Sequence, residues 1–153
     1  MNILEANLPV HYEAAKHLIA VYTKLLGEDL CFQQIDTELA TLPSMYGGEN
    51  GCLLLAENKE GFVGMVALRK KSNTVCEMKR LFVMPIFTGV GIGKQLSIAI
   101  IEKAKEMGFT EMVLDTLQRL HPALQLYKNL GFEEVDAYYE NPLPGVVYMR
   151  LKL

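Results

Sequence analysis

Three alternate glycines, in the run Gly89-Val90-Gly91-Ile92-Gly93, lie between a strand-like segment that ends at Pro85 and a segment with helical periodicity. The first N–H groups of a helix have no intrahelical partner and sit at the positive end of its dipole. A turn without Cβ atoms therefore lets an anionic oxygen reach them. The chemistry this spacing suggests is phosphate binding, with Lys94 adding a full charge beside the turn; the plainer alternative is a sharp connection with no ligand. Residue count excludes two familiar phosphate loops. A P-loop requires glycine at 88 and Ser or Thr at 95, where the chain has Thr88 and Gln95. A dinucleotide fingerprint requires glycine or alanine at 94, where it has Lys94.

Three other side chains are candidates for moving protons or binding charge. Glu77 is a carboxylate in an otherwise largely apolar strand. Strict alternation puts it with Lys79, Leu81 and Val83 on one side, and Cys76, Met78, Arg80 and Phe82 on the other. A salt bridge to Lys79 or Arg80, or a solvated edge position, would serve it equally well. Asp115 ends a strand, where Asp is also a common turn residue. Tyr127 belongs to a helix whose Leu124, Leu126 and Leu130 make a buried stripe, so it is either core or a phenol available as an acid. The basic cluster Lys79-Arg80, with Lys70-Lys71 nearby, is compatible with a compact anionic ligand.

The elements that must position these residues can be read from periodicity and punctuation. Apolar residues at Ala14, Ala15, Leu18, Ile19, Tyr22, Leu25 and Leu26 have helical spacing and Gly27 stops them, predicting a helix over 10–26. A short edge strand over 2–5 precedes it. A second helix is expected over 35–42, followed by a loop with Pro43 and three glycines. Residues 52–57 and 61–69 form a hairpin around 58–60. A strand over 74–83 leads through the glycine turn into a helix over 91–107, closed by Gly108. A strand over 110–116, a helix over 121–130 and closing strands over 132–138 and 146–153 complete an α+β pattern.

Composition limits the rest. The 153 residues, 50% hydrophobic and 22% charged, suffice for one domain with a real core, expected to span 1–153. There is no run of eighteen apolar residues, and the first residues lack the charged-then-apolar design of a secretory signal, so a soluble cytoplasmic protein is expected. Cys31, Cys52 and Cys76 lack metal-type spacing and sit among apolar neighbours, which fits a reducing compartment and no metal site. A net charge of -3 argues against general nucleic-acid binding.

Three blocks, Cys76-Glu77-Met78-Lys79-Arg80-Leu81-Phe82-Val83-Met84-Pro85, then Thr88-Gly89-Val90-Gly91-Ile92-Gly93-Lys94-Gln95-Leu96, then Ala123-Leu124-Gln125-Leu126-Tyr127-Lys128-Asn129-Leu130-Gly131-Phe132, resemble the GNAT superfamily of acyl-CoA-dependent N-acetyltransferases in order and spacing. The likeness extends over essentially the whole chain. It implies a central, mostly antiparallel mixed sheet of about six or seven strands flanked by about four helices. It also implies transfer of an acetyl group from acetyl-CoA to a primary amine of a small molecule or peptide, by direct attack in a ternary complex. Cys52 and Cys76 have no His partner nearby in sequence to support a covalent route.

By the same resemblance, Leu81, Phe82 and Val83 would pair with the pantetheine arm of CoA. Backbone amides across Gly89, Val90, Gly91, Ile92, Gly93 and Lys94 would hold its pyrophosphate. Tyr127 would be the general acid for the departing thiolate, and Glu77 a general base for the amine, directly or through a water. Two positions depart from the family: Thr88 stands where Arg or Gln is usual, and Leu120 where Asn is frequent. These departures leave open an acyl-CoA-binding sensor without chemistry. The acceptor would lie among Tyr22, Gln33, Gln34, Tyr46, Tyr138, Tyr139 and Asn141, with Asp115 close by; the same aromatics would alternatively suit a homodimer surface. His11 and His17 are expected to face solvent, and His121 to serve the start of its helix.

Overall fold

A computed structural model describes residues 1–27 and 35–153. Gln33, Gln34 and Cys31 lie outside the described residues. Among the described residues seven strands form one sheet in the order β1-β2-β3-β4-β5-β7-β6. They are β1 (Asn2–Glu5), β2 (Gly51–Asn58), β3 (Gly61–Lys70), β4 (Val75–Val83), β5 (Glu111–Leu117), β6 (Glu133–Val135) and β7 (Val146–Lys152). Only β4 and β5 pair in parallel; every other neighbour pair is antiparallel. Among the described residues there are five α-helices: α1 (Pro9–Leu26), α2 (Ile35–Ala40), α3 (Leu42–Met45), α4 (Ile92–Glu106) and α5 (His121–Asn129).

The sheet separates two cores. On one face α1 buries Ala15, Leu18 and Ile19 against Leu53, Leu55, Met65 and Ala67. On the other, α4 and α5 bring Ile92, Leu96, Ile100, Ala104 and Tyr127 onto Leu54, Val66, Leu68, Met78, Met112 and Leu114. Alternate strand residues feed the two faces, as the pleat requires. Gly27 ends α1 in the left-handed conformation at φ 72°, its N–H bonded to the Thr23 carbonyl, which explains why the helical pattern stops there.

Four local expectations change. The second helix ends at Ala40, and Pro43 lies near the start of the separate short helix α3, a position where its missing N–H costs nothing. The strand expected over 132–138 is only three residues long, so Tyr138 and Tyr139 leave the sheet. His11 turns back to cap α1: its Nδ1 accepts from the Asn7 and Leu8 amides, and its ring meets Phe62 edge-on. Tyr46 is 2% exposed, in the core beside α1, and is not part of an acceptor wall.

The alternation of β4 also breaks. Arg80 has φ 59°, the only positive φ outside glycine among the described residues, and the register to β3 slips between Met65 and Ala67. This is a β-bulge: one extra residue on β4, with a local change of facing. Cys76, Met78, Leu81 and Val83 consequently all pack on the α4 face. Glu77 and Lys79 share the α1 face with Phe82, because their partners Arg69, Ala67 and Met65 lie there. The expectation that Glu77 sits beside Leu81 and Val83 fails for this reason.

Candidate active site

β4 and β5 are joined over only three rows, Val75–Glu111, Cys76–Met112 and Glu77–Val113. Beyond them β4 runs on to Val83 and β5 to Leu117 without pairing to each other, so the strands splay and, among the described residues, the edge of β4 that faces β5 has no strand partner from Lys79 onward. A cavity of about 380 Å³ fills the splay. Tyr22, Lys79, Arg80 and Asp115 line it from the α1 side, and Leu81, Val83, Ala123 and Tyr127 from the α5 side. The opening thus connects the two faces of the sheet.

At the end of β4 a 3-10 turn, Pro85–Phe87, leads to the glycines. Gly89 and Gly91 have φ 82° and 90°, conformations that a Cβ would strain, and a Cβ at either would meet nothing within 4 Å. Gly91 is the N-cap of α4, and the first helical bond runs from Gln95 N to its carbonyl. Among the described residues, the amides from Gly89 to Lys94 find no backbone acceptor. Open space, free donors and a helix dipole therefore coincide at one exposed turn, with Lys94 also exposed. These residues fit a pyrophosphate. Thr88 does not reinforce them, because its hydroxyl donates to the Pro85 carbonyl at 2.8 Å.

Tyr127 is 7% exposed and packs edge-on against Phe132. Its hydroxyl has no hydrogen-bond partner among the described residues, and the residue lines the cavity. Burial, with lesser contributions from Tyr22 and Asp115, pushes its pKa well above the ordinary tyrosine value, so it holds its proton at any working pH. Tyr22 packs edge-on against Phe82 across the cavity entrance, and its pKa is likewise raised, chiefly by burial.

Opposite Tyr127, on the α1 face, two carboxylates are held by tyrosines from the segment after β6. Tyr138 Oη donates to Glu77 at 2.6 Å. Tyr139 Oη and, at 3.0 Å, Asn141 Nδ2 donate to Asp115. Tyr148 Oη donates to the Tyr139 carbonyl at 2.8 Å, and the three rings pack against one another. Burial and the facing carboxylates raise both the Tyr138 and Tyr139 pKa values, which keeps them as donors. The ammonium of Lys71 lies over the two rings, 5.3 and 5.9 Å from their centroids. Asp115 lines the cavity, whereas Glu77, 4% exposed, sits behind Tyr138.

The structure therefore brings Tyr22, Asp115, Tyr127 and Asn141 to one cavity, with Leu81, Phe82, Val83 and Thr88 on its wall. Sequence reasoning had no access to Tyr148 as the brace of Tyr139, or to the buried pair between Arg80 and Glu38 beneath the bulge. The first spans nine residues across the irregular segment before β7, and the second forty-two. Cys52 and Cys76 are buried thiols whose pKa values burial pushes up to about 12, unsuited to serve as thiolate nucleophiles.

The acetyltransferase (GNAT) family model matches residues 13–132, and the chain belongs to that family. It is an acetyl-CoA-dependent N-acetyltransferase. It is 41% identical to an uncharacterised N-acetyltransferase of Schizosaccharomyces pombe, over all of this chain and 95% of that protein. Its fold is shared with an acetyltransferase from Streptococcus agalactiae at a TM-score of 0.81 and 23% identity, covering 99% of this chain and 98% of that one. A GNAT family acetyltransferase from Elizabethkingia anophelis, solved with acetyl-CoA bound, aligns at a TM-score of 0.67 and 24% identity, over 99% and 97% of the two chains. No helix among the described residues is long and apolar enough to cross a membrane.

Proposed function

We propose that this chain moves the acetyl group of acetyl-CoA directly onto a primary amine of a small molecule or peptide, through the splay between β4 and β5. The observation that carries this reading is the single cavity lined by both Tyr127 and Asp115 from opposite faces of the sheet. Donor and acceptor can enter from different sides and meet within it. Acetyl-CoA supplies an activated acyl group and a thiolate leaving group.

The residues divide the remaining work. The free amides of Gly89, Val90, Gly91, Ile92, Gly93 and Lys94 receive the pyrophosphate, and the unpaired edge of β4 at Leu81, Phe82 and Val83 takes the extended arm. Asp115, braced by Tyr139 and Asn141, orients the amine, with Tyr22 closing the acceptor side. An amine arrives protonated, with a lysine-type pKa of about 10.4, so a base must take its proton. Glu77 is that base, reached through a water; Tyr127 protonates the departing sulfur and regains its proton from the second one that the nitrogen loses. The balance is one N–C bond formed and one C–S bond broken. The buried thiols of Cys52 and Cys76 favour this direct route over an acyl-enzyme.

The compartment we infer is the cytoplasm, consistent with the two buried free cysteines, and the assembly a homodimer. Light scattering on the purified protein checks the latter. A second reading, an acyl-CoA sensor without chemistry, is favoured by one observation: the Thr88 hydroxyl is spent on Pro85. Calorimetric titration with acetyl-CoA, followed by free-thiol release over a panel of amines, amino acids and peptides, separates the two. Binding with acceptor-dependent thiol release supports the enzyme; binding with no release on any acceptor supports the sensor.

A further inference from the structure

The acceptor side of the cavity contains two opposite charges that do not meet. Lys79 and Asp115 both line it. They lie on the same face of adjacent strands: Glu77 is paired with Val113, and Lys79 and Asp115 are each two residues further along, where the strands have parted. Between them there is no ion pair, and among the described residues Lys79 has no hydrogen-bond or ion-pair partner. The other charges nearby are engaged. Arg80 is closed onto Glu38 with both side chains buried, Glu77 accepts from Tyr138, and Asp115 is held only by the neutral donors Tyr139 and Asn141.

A half-buried ammonium with no ion-pair partner is costly: loss of water and the Arg80 charge lower the pKa of Lys79, and the carboxylates of Glu77 and Glu38, each held by another donor, offset this only in part. A ligand carboxylate would offset that cost. Residues two apart on a strand are separated by about 7 Å, so Lys79 stands beyond Glu77 and across the gap from Asp115. A small molecule with an ammonium at one end and a carboxylate close by would bridge them.

We propose that the acceptor is a small zwitterionic amine, an amino acid or close analogue, with its ammonium at Asp115 and its carboxylate on Lys79. This rests on the acetyltransferase reading above and narrows its substrate class. The cation specifies the carboxylate, and the tyrosine-braced carboxylates specify the amine. Peptides acetylated on an internal lysine have no such carboxylate near the reacting amine and are discriminated against.

The test uses the full chain, acetyl-CoA and matched acceptors: each amino acid, its methyl ester and its decarboxylated amine, with thiol release as readout. A charge-assisted contact is worth about ten- to a hundredfold in kcat/KM, so free amino acids should exceed their esters and amines by that factor. Lys79→Met should collapse the ratio towards one, mainly through KM, and Lys79→Arg should restore part of it. Acetyl-CoA affinity, measured by calorimetry, should be the same in all three proteins. Esters or amines working as well as the amino acids, or an unchanged ratio in Lys79→Met, would overturn the proposal while leaving the transferase reading intact. No acetyl-CoA binding, or no thiol release on any acceptor, would instead overturn the transferase reading and this proposal with it.

Discussion

The Arg80 guanidinium donates twice to the Glu38 carboxylate, Nε to Oε2 at 2.9 Å and Nη2 to Oε1 at 3.0 Å, with side-chain exposures of 7% and 2%. The pair ties α2 to the bulge that redirects β4, and it holds a non-glycine residue at φ 59°. Removing one partner leaves a buried charge uncompensated. Arg80→Ala or Glu38→Ala should each cost about 3–5 kcal/mol in urea unfolding. A cost below about 1 kcal/mol, the level of an exposed pair, would show that the bulge stands without it.

The same pair makes stability depend on pH. Burial alone would raise the Glu38 carboxyl, but the Arg80 hydrogen bonds and charge, with Lys79 behind them, outweigh it and hold it below 4.5. A folded-state pKa below the unfolded value contributes stability that is present above the unfolded value and lost as pH falls through the folded one. The stability gap between the native protein and Glu38→Gln should therefore be constant near neutrality and shrink below about pH 4. Thermal melts across that range measure it.

Tyr127→Phe should retain the fold and acetyl-CoA affinity but lose about a hundredfold or more in kcat. Because the phenol stays protonated throughout, the native enzyme should show no alkaline loss of rate from this group. Single-turnover thiol release with a saturating acceptor reads the effect. Full turnover in the variant would return Tyr127 to the core alone.

Gly93 tests the phosphate cradle. A Cβ there would stand 3.8 Å from Val83 Cγ2 and 3.9 Å from Leu126 Cδ2, ordinary contacts that the fold accepts. Helix propensity favours alanine by up to about 1 kcal/mol. Gly93→Ala should therefore leave the melting temperature unchanged or raised. The methyl occupies the slot between β4 and α5 beside the free amides, so the Kd for acetyl-CoA should rise, by about tenfold if one phosphate contact is lost. Unchanged affinity would place the phosphates elsewhere.

Much of this was legible in the sequence, and the limit was physical. Gly27, Gly91 and Pro85 announce chain punctuation through local backbone preferences, so α1, the start of α4 and the end of β4 fall within a residue or two of expectation. The glycine spacing marks the turn before α4 as open to an anion, and the structure shows open space at Gly89 and Gly91. The facing of Glu77 could not be read, because alternation assumes an unbroken pleat and nothing local to Arg80 marks a bulge. Its partner, Glu38, is forty-two residues away. The sequence offers the tyrosines only as a pool, because which phenol meets which carboxylate depends on how residues 136–145 fold back over β5 and β7, which periodicity does not encode.

The two carboxylates should separate kinetically. Glu77→Gln should lower kcat about a hundredfold with little change in the acceptor KM, the signature of a lost base. Asp115→Asn should mainly raise that KM, because it removes the charge that the ammonium meets at the wall. The reverse pattern would exchange the two roles.

Within the β4–β5 splay the acetyl group passes in one step from thioester to amine. Initial rates measured while acetyl-CoA and a single amino acid acceptor are both varied read this step. Intersecting double-reciprocal lines, with no acetylated protein in the intact mass after incubation with acetyl-CoA alone, are the predicted result. Parallel lines, together with a protein that carries the acetyl group before any acceptor is added, would contradict it.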